Sequence, residues 1–265
     1  APQGPEGRRV TAAGGPPPPD VVVQPDAAGL ARTVAAALVA RLAAAQTVHG
    51  SASLVLTGGG IGIAVLEEVA GLVAEPIRET VDWTAVDFWW GDERYVPAAS
   101  DERNERQARK ALLDGLDVPE PRVHPMPPSD GVFDSPEEAA AWYADELAFA
   151  AGPDGGVPRF DVLLLGMGPE GHTASIFPDS PAVTDERPVF AVHDCPKPPP
   201  TRTSLGFSAI NTAEEVWVIA TGEGKADAVA RALAGADRAE IPVAGVSGRQ
   251  ATRWLLDAAA ASKLP

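Results

Sequence analysis

A single cysteine, Cys195, in a chain of 265 residues excludes an internal disulfide and leaves too few thiolates for a cysteine-based metal site. That usage fits a reducing cytoplasm. Positive charge is scarce as well: 21 Lys and Arg stand against 37 Asp and Glu, giving a net charge of −16 and a pI near 4.6. Such a surface repels nucleic acid and anionic membrane, so an anionic small substrate must be met by a local cluster of basic residues. The longest apolar stretch, residues 30–45, is interrupted by Arg32 and Arg41, which argues against a membrane span. No signal peptide is visible, but the chain opens on Ala1 rather than methionine, so a missing leader excludes nothing. There is no central linker, and the length suits one α/β domain over two.

Residues 1–20 are rich in Pro and Gly and read as a loose extension ahead of a single domain over 21–265, because Pro neither fills a helix interior nor donates to a sheet ladder. From there apolar runs and amphipathic stretches alternate. Strands are expected at 21–23, 53–57, 86–90, 123–126, 161–165, 189–192, 216–220 and 241–245. Helices are expected at 26–45, 63–73, 101–113, 136–151, from Lys225 to 233, and at 249–261, with Trp142, Tyr143 and Phe149 packed in the core. The alternation predicts a mainly parallel sheet flanked by helices on both faces.

Four of the predicted strands run into polar, glycine-containing turns, and right-handed crossovers bring such ends to one sheet edge. After 53–57 comes Gly58-Gly59-Gly60-Ile61-Gly62, whose amides at a helix start form an anion site. After 86–90 comes Gly91-Asp92-Glu93-Arg94, three charges between a glycine and Pro97. After 161–165 comes Gly166-Met167-Gly168-Pro169-Glu170-Gly171-His172, which places a histidine at the lip of a sheet edge where ligands bind. This matches G-x-G-x-x-G literally, yet Pro178 leaves no room for the crossover helix of a dinucleotide site. Thr173 and Ser175 read as caps of a short helix, since nothing forms a G-x-S-x-G elbow. After 216–220 comes Thr221-Gly222-Glu223-Gly224-Lys225, too short for a P-loop but placing a lysine as a point charge for a monophosphate. His193 and Cys195 lack a third ligand at any recognisable spacing, and His124 reads as structural.

Together these turns resemble the 6-phosphogluconolactonase family. The matching pieces are Gly91-Asp92-Glu93-Arg94 with Val96, Pro97 and Asn104, the run from Gly166 through Glu170-Gly171-His172-Thr173-Ala174-Ser175 to Phe177-Pro178, Pro199-Pro200 with Arg202, and Gly224-Lys225-Ala226. The resemblance implies a Rossmann-like α/β fold shared with sugar-phosphate isomerases, no metal or nucleotide cofactor, and hydrolysis of 6-phosphoglucono-δ-lactone. It gives His172 the role of general base and puts Asp92 and Arg94 at the reacting lactone. Gly58, Gly59, Gly60, Arg202 and Lys225 would hold the phosphate, and Glu170 and Gly171 would support the turn. Two departures stand out: Gly60, Ile61 and Gly62 replace the usual Ser-Thr-Pro, and Glu170 replaces the usual Asp. The expected partner is a phosphorylated sugar lactone, with no nucleic acid or membrane, and the expected state a monomer. The alternatives are a sugar-phosphate isomerase or amino-sugar-phosphate deaminase on the same fold and, further off, a non-catalytic sugar-phosphate sensor, which would need a basic appendage.

Overall fold

The computed structural model describes residues 17–74, 80–153 and 155–265, so most of the predicted N-terminal extension lies outside the described residues. Short apolar strands buried on both faces need cover on both faces, and the chain supplies it by alternating strand and helix. In order these are β1 (Asp20–Gln24), α1 (Ala27–His49), β2 (Ala52–Leu56), α2 (Gly60–Val73), β3 (Val86–Trp90), β4 (Asp92–Arg94), α3 (Asn104–Ala111) and α4 (Pro136–Ala151). There follow β5 (Val162–Gly166), β6 (Val189–Val192), β7 (Arg202–Leu205), the single turn α5 (Phe207–Ile210), β8 (Glu215–Ala220), α6 (Ala226–Leu233) and β9 (Ala251–Asp257).

Six strands form one parallel sheet in the order β1-β9-β8-β5-β2-β3, and β4-β7-β6 form a small antiparallel sheet beside it. Successive strand residues point to opposite faces. Leu54, Leu56, Val162, Leu164, Trp217 and Ile219 therefore meet α1 and α2, while Val55, Leu163, Leu165, Val216 and Val218 meet α4, α5 and α6.

Helix α1 starts where Asp26 accepts from the Gly29 amide and stops at Gly50, whose φ of 75° suits glycine. It is long and apolar enough to cross a membrane, but Leu30, Val34, Leu38 and Leu42 bury one face in the core and Arg41 pairs with Glu215 at 2.7 Å.

Several expectations are corrected. Residues 251–257 form a central strand between β1 and β8 and not a closing helix, because Trp254, Leu255 and Leu256 are buried from both sides. Residues 242–245 form a 3-10 turn and not a strand, Pro242 having no amide for a ladder. Val123 makes one bridge to Phe88 and not a strand. Of the α4 aromatics only Tyr143 is core; Trp142 is part-exposed and Phe149 is 86% exposed. Residues 173–180 form turns and bridges and not the short helix expected there. Thr173 instead donates to Gly166 O at 3.0 Å and Ser175 to Asp92 Oδ2 at 2.7 Å, each closing a loop by a side-chain bond where a helix would have used its backbone.

Candidate active site

The strands β8, β5, β2 and β3 lie side by side, so their carboxyl ends open onto one edge, where a cavity of about 260 Å³ gathers residues from all four turns. At the end of β2 the backbone turns through Gly59 (φ 82°) into α2. Gly58 is obligatory for a different reason: a Cβ there would lie 1.9 Å from Asn104 Oδ1, so Asn104 closes onto the bare backbone. The first amides of a 14-residue helix have no intrahelical acceptor, and Gly58, Gly59 and Gly60 present that end to the cavity.

At the end of β3, alternation along β4 sends Asp92 and Arg94 into the cavity and Glu93 the other way. Glu93 is almost fully buried and accepts from the amides of Arg94, Asn104 and Glu105 at 2.8–2.9 Å, which ties β4 to the start of α3. Asn104 completes the tie by donating to Asp92 O at 2.9 Å. Asp92 Oδ2 lies 3.9 Å from Arg202 Nη1, so its charged neighbour is Arg202. In the antiparallel register Arg94 sits directly opposite Arg202, a like-charge pairing that is unfavourable unless an anion comes between.

At the end of β5, Gly171 (φ 89°) reverses the chain and His172 folds back over Gly168, where a Cβ would lie 2.1 Å from His172 Nδ1. The ring stacks on Phe177 with centroids 4.4 Å apart, and Nδ1 is 2.8 Å from Glu170 Oε1. A carboxylate can only accept, so Nδ1 carries the proton and Nε2 keeps the lone pair. Lys225, at the start of α6, reaches the same cavity from the β8 turn.

Residues 25–254 match the family of glucosamine-6-phosphate isomerases and 6-phosphogluconolactonases. The chain belongs to this family. It is 51% identical over 249 residues to a 6-phosphogluconolactonase of Streptomyces coelicolor, covering 92% of this chain and 94% of that one. It is 49% identical to a 6-phosphogluconolactonase of Mycobacterium tuberculosis, covering 92% and 98%. Among solved structures, the 6-phosphogluconolactonase of Trypanosoma brucei superposes with a TM-score of 0.76 at 30% identity, covering 93% of this chain and 99% of that one.

All the sequence-predicted residues from Gly58 to Lys225 meet at this cavity except Glu170 and Gly171, which stand behind His172. Burial lowers the pKa of His172, Glu170 opposes that, and Lys197 reinforces it. Burial raises Glu170, but its own backbone amide, His172 and Lys197 together outweigh this and hold it below the ordinary range. Burial lowers Lys225, helped by repulsion from Lys197 and opposed by Asp257 and Glu170. Lys197 is the residue that sequence reasoning missed: its ammonium lies 3.1 Å from Glu170 Oε1. The available signal was a lone cation locked between Pro196 and Pro198 in an acidic chain. A second cavity, about 620 Å³ and mostly apolar, adjoins the first across Gly60, Ile61 and Thr221. It carries Glu67 and Glu68 and no cation, whereas Arg94, Arg202 and Lys225 line the smaller one.

Proposed function

We propose that this enzyme hydrolyses 6-phospho-D-glucono-1,5-lactone to 6-phospho-D-gluconate, the lactone-opening step of the oxidative pentose phosphate pathway, with His172 as general base and no metal or cofactor. The observation that carries the reading is His172, backed by Glu170 at 2.8 Å and facing a cavity that also holds Arg94, Arg202 and Lys225.

A lactone is an ester that water attacks readily, so the site needs a base, an oxyanion stabiliser and a grip on the remote phosphate. His172 Nε2 takes a proton as water adds to the carbonyl carbon; the tetrahedral oxyanion faces Arg94. Collapse breaks the bond to the ring oxygen, which recovers the proton from Nε2, and the new carboxylic acid ionises in solution. Arg94 is held for this by a 2.6 Å bond from Nη1 to Glu102 O. Asp92, fixed by Ser175, orients the substrate hydroxyls. Arg202, Lys225 and the Gly58–Gly60 turn bind the phosphate, and that remote binding fixes the carbonyl against the base.

The same reading has residues 21–265 acting as one domain behind a 1–20 extension, a monomer in the cytoplasm whose net charge of −16 keeps nucleic acid and anionic membrane away. The test is proton release in weak buffer from freshly generated lactone, measured above spontaneous hydrolysis. Fast release by the wild type that is lost in His172→Ala upholds the reading. Release no faster than background overturns it and turns attention to ammonia release from glucosamine 6-phosphate.

A further inference from the structure

Lys197 stands outside the roles just assigned, and its inference rests on His172 being the base. The ammonium is 3.1 Å from Glu170 Oε1, 3.3 Å from Oε2 and 3.5 Å from His172 Nδ1. It has no lone pair, and Nδ1 has a single position for either a proton or a lone pair. The shorter contact decides the matter: Nδ1–H donates to Glu170, and the carboxylate serves the ring and the ammonium at once. The lysine is held there by its own backbone, since Arg202 Nη2 donates to Lys197 O at 3.0 Å and Arg202 Nε to Pro199 O at 3.2 Å. The Cys195 amide, donating to Pro200 O at 2.9 Å, closes the loop.

We propose that Lys197 is a positioning residue for proton transfer: by sharing Glu170 with His172 it fixes the carboxylate against Nδ1 and offsets the charge that would otherwise draw a second proton onto Nε2. A half-buried imidazole beside an uncompensated carboxylate favours imidazolium, which cannot accept a proton from water. The groups facing the ring are Glu170 from its own turn, Asp92 from β4 and Lys197 from the β6–β7 loop, while Phe177 stacks without charge. Arg94, Arg202 and Lys225 line the same cavity. A bound phosphate dianion would neutralise much of those three, leaving Lys197 as the cation attached to the dyad itself.

The experiment is the pH profile of kcat/KM for lactone hydrolysis, run beside a proton NMR titration of the His172 ring without substrate. In Lys197→Met the acid limb moves up by about one pH unit, so activity well below the wild-type limb falls roughly tenfold while activity near pH ~9 changes little. Lys197→Arg restores the wild-type limb, and adding Glu170→Gln to Lys197→Met moves the limb back down. The ring titration moves in the same directions. A uniform loss at every pH in Lys197→Met, with the His172 titration unmoved, would overturn the proposal. Because the NMR arm needs no turnover, a shifted titration upholds it even where the lactone proves not to be the substrate.

Discussion

The molecule has two histidines built alike at opposite edges of the same sheet. His172, at the carboxyl edge, stacks on Phe177 and sits 2.8 Å from Glu170; His124, toward the amino edge, stacks on Trp89 at 3.8 Å and has Nε2 3.5 Å from Asp87. What separates them is the company. At the amino edge three carboxylates are spent on neighbours: Asp87 on Arg122, Asp161 on Arg159 and the Ser53 amide, Glu215 on Arg41, Arg253 and the Trp217 indole. At the carboxyl edge Arg94, Arg202 and Lys225 line a cavity with Asp92, while Lys197 pairs with Glu170 behind His172, leaving cation in excess for an anion to fill. A histidine beside a carboxylate is thus no signature of catalysis. Charge left unpaired around a glycine-lined hollow is the discriminating feature.

The comparison breaks most directly through His172→Ala, which should cut kcat by roughly 10²–10⁴-fold, while His124→Ala leaves kcat near wild type. Equal losses from both, in steady-state assays, would erase the distinction between the edges. Gly168→Ala tests geometry alone: its Cβ would meet His172 Nδ1 at 2.1 Å and Glu170 Oε2 at 2.4 Å. Displacing the His172 ring by about an ångström should lower kcat by around 10²-fold with unfolding by urea little changed.

At the other edge the cost should appear in stability. Glu215→Ala strands Arg41 and Arg253 and the Trp217 N–H, so the urea midpoint should fall by an amount equivalent to about 2–3 kcal/mol with kcat retained. Lys225→Ala should raise KM about tenfold and spare kcat, since the proposed function has it hold a phosphate remote from the bond that breaks. A fall in kcat alone would move Lys225 to the reaction centre.

Glu93 stands between the two regimes, and its effect lies in the pH dependence of stability. Burial pushes its pKa up to about 7, against Arg103 and three amide donors. A raised folded value means that the folded state keeps a proton the unfolded chain has released, so this group's contribution is full below 4.5 and is lost as pH rises toward 7. Glu93→Gln should flatten that slope in a series of melting temperatures; an unchanged slope would show that Glu93 is ionised throughout.

The glycine turns were legible because each has a local cause. Gly58 and Gly168 give room to Asn104 and His172, and Gly59 and Gly171 supply positive φ. The strands at 86–90 and 189–192 were legible as short apolar runs. Residues 251–257 were misread because Arg253 and its neighbours fit helical spacing as well as an alternating strand; only β1 and β8 on either side decide between them.

By itself, the sequence determined the alternation of strand and helix, the four glycine turns and the placement of His172 in one of them, because conformational preference and apolar periodicity act over a few residues. The tertiary structure alone decided that Asp92 answers to Ser175 and Arg202, that Arg94 faces Arg202 across a ladder, and that Lys197 comes to rest on Glu170. Those pairs are 83, 110, 108 and 27 residues apart in the chain, and electrostatic partnership at such separations depends on which strand ends the sheet order brings together.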